Sequence, residues 1–295
     1  MDAGIRYFDM APFYGAGLSE LRLGRFLADK NREEFVVSTK VGRLLHALPP
    51  GQGSQHGFVG APPTDIRFDY SGDGIRRFVE ASLRRSGLDR FDMLFAHDIG
   101  QYAHGPIEDA RHRADLISTG IPAIQAMKAD GTISAWRLGV NEVEVCLDLL
   151  GLHQMDIILL AGRYTLLDRR AEAKLLPLMR QCGTKLVIGG IFNSGILVTG
   201  PTKGATYDYA EASLDIIAHV TAINQICTEL HQDRVAAALQ FPLAEPLVNW
   251  ILLGSSDPAS SDRNIAGLGQ PVAKLLHCNI SIAWHHGSWI PALQY

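Results

Sequence analysis

The sequence has few cysteines, and they are widely separated. Cys146, Cys182, Cys227 and Cys278 form no Cys-x-x-Cys pair, and no cluster of Cys and His has the spacing of zinc ligands. We therefore expect reduced, structural thiols and no metal site.

Long apolar runs and basic patches are also missing. Stretches such as Met155–Ala161 and Val248–Leu253 are far shorter than the roughly 20 residues of a membrane-spanning helix. The first residues lack the basic, apolar and small-residue segments of a secretory signal. Lys and Arg (27) do not outnumber Asp and Glu (31), and they are scattered along the chain. We therefore expect a cytoplasmic protein with no membrane or nucleic acid partner. No oligomeric state follows from the sequence.

The length and composition suit a large α/β protein. Of 295 residues, 47% are hydrophobic and 20% are charged, which fits one large domain or two small ones. No solenoid repeat or low-complexity linker divides the chain. We therefore predict a single domain over residues 1–295, with residues 269–295 as a C-terminal tail.

Short β-branched and aromatic runs alternate with longer amphipathic stretches. This alternation is typical of βα units around a parallel sheet, and nearly continuous apolar runs indicate strands buried on both faces. The predicted strands are Ile5–Asp9, Phe35–Lys40, Phe91–His97, Ile133–Val140, Asp156–Leu160, Lys185–Gly190 and Val248–Gly254. The predicted helices are Ser19–Ala28, Gly72–Ser86, Ser118–Lys128, Glu142–Leu150, Arg169–Gln181 and Ala210–His231. Two Gly-rich stretches, residues 44–67 and 193–209, are predicted to be long loops, which often carry function.

Seven βα units are one fewer than a (β/α)8 TIM barrel contains. The chain opens with Asp2-Ala3-Gly4, typical of a helix end, directly before a strand. We therefore expect an α/β fold of the (β/α)8 TIM barrel type, truncated at the N terminus to about seven βα units. Three explanations stay open: a misassigned start codon, which we favour, a true loss, and a miscounted strand.

Three successive predicted strands end in ionisable residues. Asp9 ends the first strand, with Tyr14 five residues later, while Lys40 and His97 end the next two. Barrel active sites lie at this rim. Each residue taken alone has a structural explanation, such as a turn cap for Asp9 or core packing for Tyr14. Their joint placement favours a site, because charged residues seldom end buried strands without a partner.

These four side chains suit proton transfer at a carbon–oxygen centre. A free Tyr has a pKa of about 10, and a neighbouring ammonium lowers it. We expect Lys40 to supply that field and Asp9 to hold Lys40 in place. His97 would then hydrogen-bond the substrate oxygen. Hydride chemistry at the same centre requires a cofactor.

Four segments resemble motifs of the aldo-keto reductase family, and the resemblance covers nearly the whole chain. They are Phe8-Asp9-x-Ala11-x-x-Tyr14-Gly15, Ser38-Thr39-Lys40, His97-Asp98 and Gly139-Val140-Asn141-Glu142. The resemblance implies an oxidoreductase with the catalytic tetrad Asp9, Tyr14, Lys40 and His97 and with NAD or NADP as cofactor. Other stretches, including Phe68-Asp69-Tyr70-Ser71, resemble the sugar and pyridoxal dehydrogenase branch. That branch implies oxidation of an aldose or pyridoxal-like hemiacetal to a lactone. The alternative is a non-catalytic, nucleotide-binding remnant of the same barrel.

The resemblance also implies the cofactor contacts. Asn141 would hold the nicotinamide carboxamide, and Asn264 would contact the adenine end. Residues Gly254, Ser255 and Ser256 stand where relatives often carry a cation for the 2′-phosphate of NADP, which favours NAD, although Arg263 is close enough to compensate. From the residues themselves, Asn193, Ser194 and Gly195 could place backbone donors near the pyrophosphate. Phe192 could pack on the nicotinamide ring or belong to the core.

Overall fold

The computed structural model describes residues 1–49, 58–153, 155–255 and 257–273. These residues form two compact units, Met1–Val140 and Asn141–Tyr295. The single domain and the C-terminal tail stay predictions, and residues 274–295 of that tail lie outside the described part of the chain.

The first unit contains a parallel sheet, helices and a hairpin. Its strands are β1 (Tyr7–Asp9), β2 (Val36–Val41), β3 (Arg43–Ala47), β4 (Thr64–Phe68), β5 (Phe91–His97) and β6 (Ile133–Val140). Its helices are α1 (Leu18–Leu27), α2 (Gly72–Ser86), α3 (Gln101–Asp115) and α4 (Ile121–Ala129), with a π-helical turn (Leu116–Gly120) before α4. Strands β1, β2, β5 and β6 pair in parallel in that order. Strands β3 and β4 form a separate antiparallel hairpin.

The second unit continues the alternation of strand and helix. Its strands are β7 (Ile157–Ala161), β8 (Lys185–Gly189), β9 (Thr206–Tyr207), β10 (Ala210–Glu211) and β11 (Val248–Ile251). Its helices are α5 (Val143–Leu150), α6 (Leu175–Cys182), α7 (Ile196–Thr199), α8 (Leu214–Glu229), α9 (Arg234–Gln240) and α10 (Pro258–Leu268). Strands β7, β8 and β11 pair in parallel. Strands β9 and β10 form a small antiparallel hairpin.

The seven parallel strands of the two units coincide with the seven predicted ones. The side chains of β2, β5, β6, β7 and β8 are largely buried, and in β5 Leu94 and Phe95 are fully buried, whereas β1 and β11 are half-buried or exposed. Burial of nearly continuous apolar runs explains why the sequence signal was strong. The predicted α/β class and its seven strand–helix repeats are confirmed.

Helix α2 shows how local sequence sets an element's limits. Ser71 caps it by accepting a hydrogen bond from the Gly74 N–H at 3.1 Å. Gly87 ends it in the left-handed conformation, with φ of 71°. Ile75 and Val79 are buried on one face. The bounds agree with the predicted ones because both ends carry strong capping residues.

The register of the first unit's sheet places three predicted site residues at one edge. Asp9 lies opposite Ser38, Lys40 lies opposite Phe95, and His97 lies opposite Gly139. All four paired strands are parallel, so their carboxyl ends share an edge. The sheet therefore brings Asp9, Lys40 and His97 together.

Two predicted loops are wrong in part. Within residues 44–67, β3 pairs with β4 from Arg43 opposite Phe68 to Ala47 opposite Thr64. The Gly- and Pro-rich composition belongs to the segment between these strands, of which residues 50–57 lie outside the described chain. Within residues 193–209, the structure has α7 and β9.

Two predicted helices begin later than expected, and three helices outside the predicted loops were missed in addition to α7. Helix α6 begins at Leu175 rather than at residue 169, because Asp168 and Arg170 form an ion pair in the preceding turn. Helix α8 begins at Leu214, after the capping Ser213, and the residues before it form β10. The missed helices are α3, α9 and α10. Helix α3 contains Gly105 in a non-helical conformation and Pro106, which obscure its helical pattern.

The structure contains no spanning helix or metal-ligand cluster within its described residues. None of the helices there is both long and apolar enough to cross a bilayer. No group of three or more His, Cys, Asp and Glu side chains converges in that part of the chain. Cys146, Cys182 and Cys227 are free thiols.

Candidate active site

Asp9 and Lys40 form a buried ion pair at the edge of the sheet. The Lys40 Nζ donates hydrogen bonds to the Asp9 carboxylate and, at 3.1 Å, to the Met10 carbonyl. Burial works to lower the pKa of Lys40, but Asp9 and Tyr14 raise it, and the net shift is upward. Lys40 therefore stays a protonated ammonium, because the Asp9 carboxylate beside it balances its charge.

Two neutral hydroxyl groups complete the surroundings of Asp9. The Ser38 Oγ donates to Asp9 Oδ1 at 2.5 Å, and the Tyr7 hydroxyl lies 2.9 Å from Ser38 Oγ. Burial and then the charge of Asp9 raise the pKa of Tyr7, which keeps Tyr7 a neutral phenol. Sequence reasoning missed Tyr7 and Ser38. The available signal was the spacing of Ser38 and Lys40, which places both side chains on one face of β2.

Tyr14 is the most accessible member of the predicted tetrad. It lies in the turn before α1, where its N–H donates to the Ala11 carbonyl at 3.1 Å. Lys40 Nζ lies 4.6 Å from the centre of the Tyr14 ring, and the His97 ring meets that ring edge-on at 5.9 Å. Tyr14 is 36% exposed, against 2% for Lys40 and 7% for His97. One exposed acid therefore stands over buried partners.

The pKa of Tyr14 differs from the sequence-based expectation. Burial raises this pKa, and the lowering effect of the Lys40 ammonium is smaller. The expectation of a lowered pKa is wrong for the chain without ligands, because the cost of burying a phenolate outweighs the field of Lys40.

His97 is a neutral imidazole held from both sides. Its carbonyl accepts a hydrogen bond from the Tyr70 hydroxyl at 2.6 Å. Burial, followed by the charges of Lys40 and Arg43, holds the pKa of His97 well below its usual value. Its Nδ1 is buried without a hydrogen-bond partner among the described residues. A neutral imidazole suits hydrogen bonding to a neutral hydroxyl or carbonyl oxygen.

Glu20 connects the Tyr14 segment to the Lys40 segment. It lies in α1, is fully buried, and accepts a hydrogen bond from Thr39 Oγ1 at 3.0 Å. Arg85 on α2 forms an ion pair with it at 2.5 Å. Thr39 precedes Lys40 on β2, and α1 follows the turn that contains Tyr14. Glu20 therefore holds the helix after Tyr14 against the strand that carries Lys40.

The predicted cofactor residues all lie in the second unit. Asn141 is half-buried before α5, and Gly254 and Ser255 are exposed after β11. On α10, Arg263 is exposed and Asn264 is buried. Ser256 lies outside the described residues.

The turn after β8 contains Phe192, Asn193, Ser194 and Gly195. The Asn193 amide donates to the Gly162 carbonyl at 3.1 Å and accepts from Thr165 Oγ1 at 2.6 Å. The Ser194 Oγ accepts from the Tyr209 N–H at 3.0 Å. Phe192 is half-buried. The side chains of Asn193 and Ser194 hold the turn itself. The Asn193 N–H also donates to the Gly190 carbonyl at 2.9 Å, and the Gly195 N–H donates to the Phe192 carbonyl at 3.0 Å, so of these three residues the Ser194 N–H is the main-chain donor that the turn leaves for a ligand.

The second unit has features that suit a dinucleotide. At Gly195 and Gly254, no atom lies within 4 Å of where a Cβ would stand, so a ligand can approach the main chain there. Ser255 is exposed beside Gly254. Hydroxyl groups and accessible N–H groups are the donors that phosphate oxygens take up. The open space at these positions is compatible with a bound dinucleotide, and the individual cofactor contacts stay predictions.

Comparison with known proteins identifies relatives over most of the chain. Pyridoxal 4-dehydrogenase of Microbacterium luteolum is 39% identical over 280 residues, which cover 92% of this chain and 82% of the relative. D-threo-aldose 1-dehydrogenase of a Pseudomonas species is 38% identical over 271 residues, 89% of this chain and 79% of the relative.

Solved structures show the same fold. A holo-form aldo-keto reductase from Bacillus halodurans matches with a TM-score of 0.73 and 23% identity, over 95% of this chain and 83% of that one. Glycerol dehydrogenase from Gluconobacter oxydans matches with a TM-score of 0.70 and 19% identity, over 100% and 86% of the two chains. These matches confirm the predicted barrel type.

A family model assigns the chain as a whole. The model of the aldo/keto reductase family matches residues 1–271, which include the four segments whose motifs were recognised in the sequence. The family assignment supports the nicotinamide cofactor that the sequence motifs imply, and the choice between NAD and NADP stays a prediction. The predicted oxidoreductase class is confirmed, and the chain belongs to the aldo/keto reductase family.

Proposed function

We propose that this chain is an NAD(P)-dependent dehydrogenase that oxidises the cyclic hemiacetal of an aldose, or of a pyridoxal-like compound, to a lactone. Tyr14 is its general base in this direction and its general acid in the reverse direction. Two relatives at 38% and 39% identity are named for dehydrogenation of an aldose and of pyridoxal, which supports this substrate class.

The observation that carries the proposal is the position of Tyr14. Its ring stands over the buried Lys40 ammonium at 4.6 Å and against the His97 ring at 5.9 Å. Tyr14 is the member of this group whose side chain is exposed, although its hydroxyl lies in buried surroundings, so it is the one placed to exchange a proton with a bound molecule.

The reaction removes a hydride and a proton from the hemiacetal. A bound oxidised nicotinamide supplies the acceptor for the hydride of the anomeric carbon. Tyr14, as phenolate, takes the hydroxyl proton, and the ammonium of Lys40 stabilises the phenolate that is required. His97 orients the substrate oxygen by a hydrogen bond while the carbon–oxygen double bond forms. Asp9 keeps Lys40 charged throughout.

The cofactor would be held by residues of the second unit. Asn141 would bind the carboxamide, Phe192 would pack on the nicotinamide ring, and the main chain of Asn193, Ser194 and Gly195 would meet the pyrophosphate. The adenosine end would be held by Gly254, Ser255, Ser256, Arg263 and Asn264.

We favour NAD over NADP for an electrostatic reason. Asp257 caps α10 by accepting from the Ser260 N–H at 2.9 Å, which places a carboxylate at that helix start. Arg263 donates to Ser260 Oγ at 2.7 Å. A 2′-phosphate near this end of α10 would be repelled by Asp257 and attracted by Arg263. The two effects oppose each other, so the phosphate would add little binding free energy.

The test is a substrate panel with both cofactors. The full chain is incubated with NAD⁺ or NADP⁺ and with D-threo-aldoses or pyridoxal, and reduced nicotinamide and lactone are measured together. We expect reduced cofactor and lactone in equal amounts, with NAD⁺ preferred. Reduction of simple aldehydes by NADH, with no oxidation of any hemiacetal, would contradict the proposed substrate class.

A further inference from the structure

A second buried carboxylate lies beside His97. Asp98 follows His97 at the end of β5, its side chain is 14% exposed, and its Oδ2 lies 3.4 Å from His97 Nε2. The same carboxylate forms an ion pair with Arg43 on β3. The proposed chemistry uses Asp9 to hold Lys40 and gives Asp98 no part.

The main chain at Asp98 is held in a less common conformation. Its φ is 52°, in the left-handed region that Asp and Asn tolerate better than most residues. The His97 carbonyl accepts from the Tyr70 hydroxyl at 2.6 Å, and the Asp98 N–H donates to the Gly139 carbonyl at 2.9 Å. Because the His97 carbonyl and the Asp98 N–H are both hydrogen-bonded, the Asp98 carboxylate stays beside the His97 imidazole.

Arg43 is itself fixed, and it favours the charged form of Asp98 against the net upward shift of the pKa of this carboxyl. Its guanidinium lies 4.3 Å from the ring centre of Phe13 and 5.4 Å from that of Phe68. Burial raises the pKa of Asp98, while Arg43 and then Lys40 act against this rise. The cation therefore favours the anionic carboxylate in a place where burial alone would favour the neutral acid.

We propose that Asp98, held by Arg43, is a positioning residue that fixes the tautomer of His97. The contact at 3.4 Å is not a hydrogen bond, but the negative charge of the carboxylate beside Nε2 favours the neutral imidazole that carries its proton on that nitrogen. The buried Nδ1 has no hydrogen-bond partner among the described residues that would select the other tautomer. Because the Nε2–H makes no hydrogen bond to Asp98, it can donate to the substrate oxygen, and its position stays constant. The effect of Asp98 on the reaction rate rests on the proposed function. The tautomer of His97 can be measured whether or not that function is correct.

Two variants of Asp98 separate the effect of its charge from the effect of its side-chain size. Asp98→Asn keeps the size of the side chain and removes its charge, and Asp98→Gly removes the side chain; both residues tolerate the left-handed backbone. Asp208→Asn is the matched control. Asp208 also has a positive φ, of 50°, and also pairs with an arginine, Arg163, but it lies in the second unit.

The primary measurement is nitrogen NMR of histidine-labelled protein, with His97→Asn used to assign the His97 signals. We expect a single neutral tautomer with the proton on Nε2 in the wild type and in Asp208→Asn. Both Asp98 variants should show a mixture of the two tautomers. Single-turnover hydride transfer, with NAD⁺ and the best substrate of the panel, should fall about 10- to 100-fold in the Asp98 variants. Cofactor affinity should stay unchanged.

Each outcome decides the matter. Unchanged His97 signals in both Asp98 variants would overturn the proposal, even if the rate fell, because the loss would then have another cause. Changed signals with a wild-type rate would also overturn the catalytic role. If the wild type oxidised no substrate, the proposed function would fail, and the NMR signals would still show whether Asp98 fixes His97.

Discussion

Two of the buried charge clusters, one from each unit, are built differently. In the first unit, Asp9 pairs with Lys40 beneath an exposed Tyr14. In the second unit, the fully buried Asp168 accepts from Arg170 Nη2 at 2.6 Å and from the Tyr207 hydroxyl at 2.8 Å.

The difference lies in what each phenol does. The Tyr207 hydroxyl donates to Asp168, and burial and then that carboxylate raise the pKa of Tyr207. Each phenol has a cation that works against the effect of burial on its pKa: Lys40 for Tyr14, and Arg170 for Tyr207. Tyr14 differs because its side chain is exposed, whereas Tyr207 is half-buried and its proton is donated to Asp168. Buried charge therefore does not by itself indicate an active site. The exposed acid of the first cluster is the feature that the second cluster lacks.

The sharpest test of this contrast compares the two phenols. Tyr14→Phe should lower the rate of hydride transfer by about 10³-fold, because a positioned acid–base group contributes about 10² to 10⁴. Tyr207→Phe should leave that rate near the wild-type value and lower the free energy of unfolding by about 1 kcal/mol. Single-turnover kinetics and denaturant unfolding of both variants provide the measurements. Equal rate losses in the two would remove the distinction between the clusters.

The second-unit cluster should matter most for stability. The Asp168 carboxylate lies 3.8 Å from Arg163 and 2.6 Å from Arg170. Asp168→Ala removes this ion-pair partner from both arginines. Breaking a buried ion pair costs about 3 kcal/mol or more, so the free energy of unfolding should fall by about that amount. Urea unfolding followed by circular dichroism measures the loss. A change well below 1 kcal/mol would mean that this network contributes little.

The pH dependence tests the balance of forces at Tyr14. Because burial raises the pKa of Tyr14 above the ordinary 10.0, the phenolate needed for oxidation is the minor form at neutral pH. The value of kcat/KM for oxidation should therefore rise with pH through pH 10, since this parameter reports the free enzyme.

Removing the ammonium should move this titration further upward. In Lys40→Met the lowering influence is gone, so the tyrosinate absorbance of Tyr14 should appear at higher pH than in the wild type. The difference spectrum against Tyr14→Phe isolates the signal. A shift to lower pH would contradict the assigned direction of the Lys40 effect.

The smallest expected effect concerns an exposed charge of the second unit. Asp257→Ser keeps a capping oxygen for α10 and removes the carboxylate. The preference for NAD⁺ over NADP⁺ should fall by about threefold, because exposed charges interact weakly through solvent. The ratio of kcat/KM for the two cofactors measures it. An unchanged ratio would exclude Asp257 as a determinant of cofactor choice.

The sequence allowed prediction of the strands and the tetrad members for one physical reason. Strands buried on both faces require apolar runs, and the ionisable residues stand out where such runs end, as at Asp9 and His97. The hairpin of β3 and β4 was missed because its paired residues are half-buried and flank a Gly-rich segment. Helix α3 was missed because of Gly105 and Pro106.

Tertiary partners were beyond the sequence. Nothing in the local pattern shows that Arg43 reaches Asp98, since 55 positions separate them. The direction of the Tyr14 pKa was also misjudged, because burial of a phenol is a property of the folded chain. The sequence therefore indicated which residue types are present. The pKa values and ion pairs of these residues depend on how the chain folds and could not be predicted from the sequence.

The buried Glu20 has a consequence for how this enzyme would lose activity. Its carboxylate binds Thr39 and Arg85, so α1, β2 and α2 share one polar anchor. A thermal opening that frees α1 would expose this carboxylate to water and release the Tyr14 turn in the same event. Inactivation on heating and the first loss of helical structure should therefore share one midpoint temperature, so that stabilising α1 would extend the working range of the catalyst.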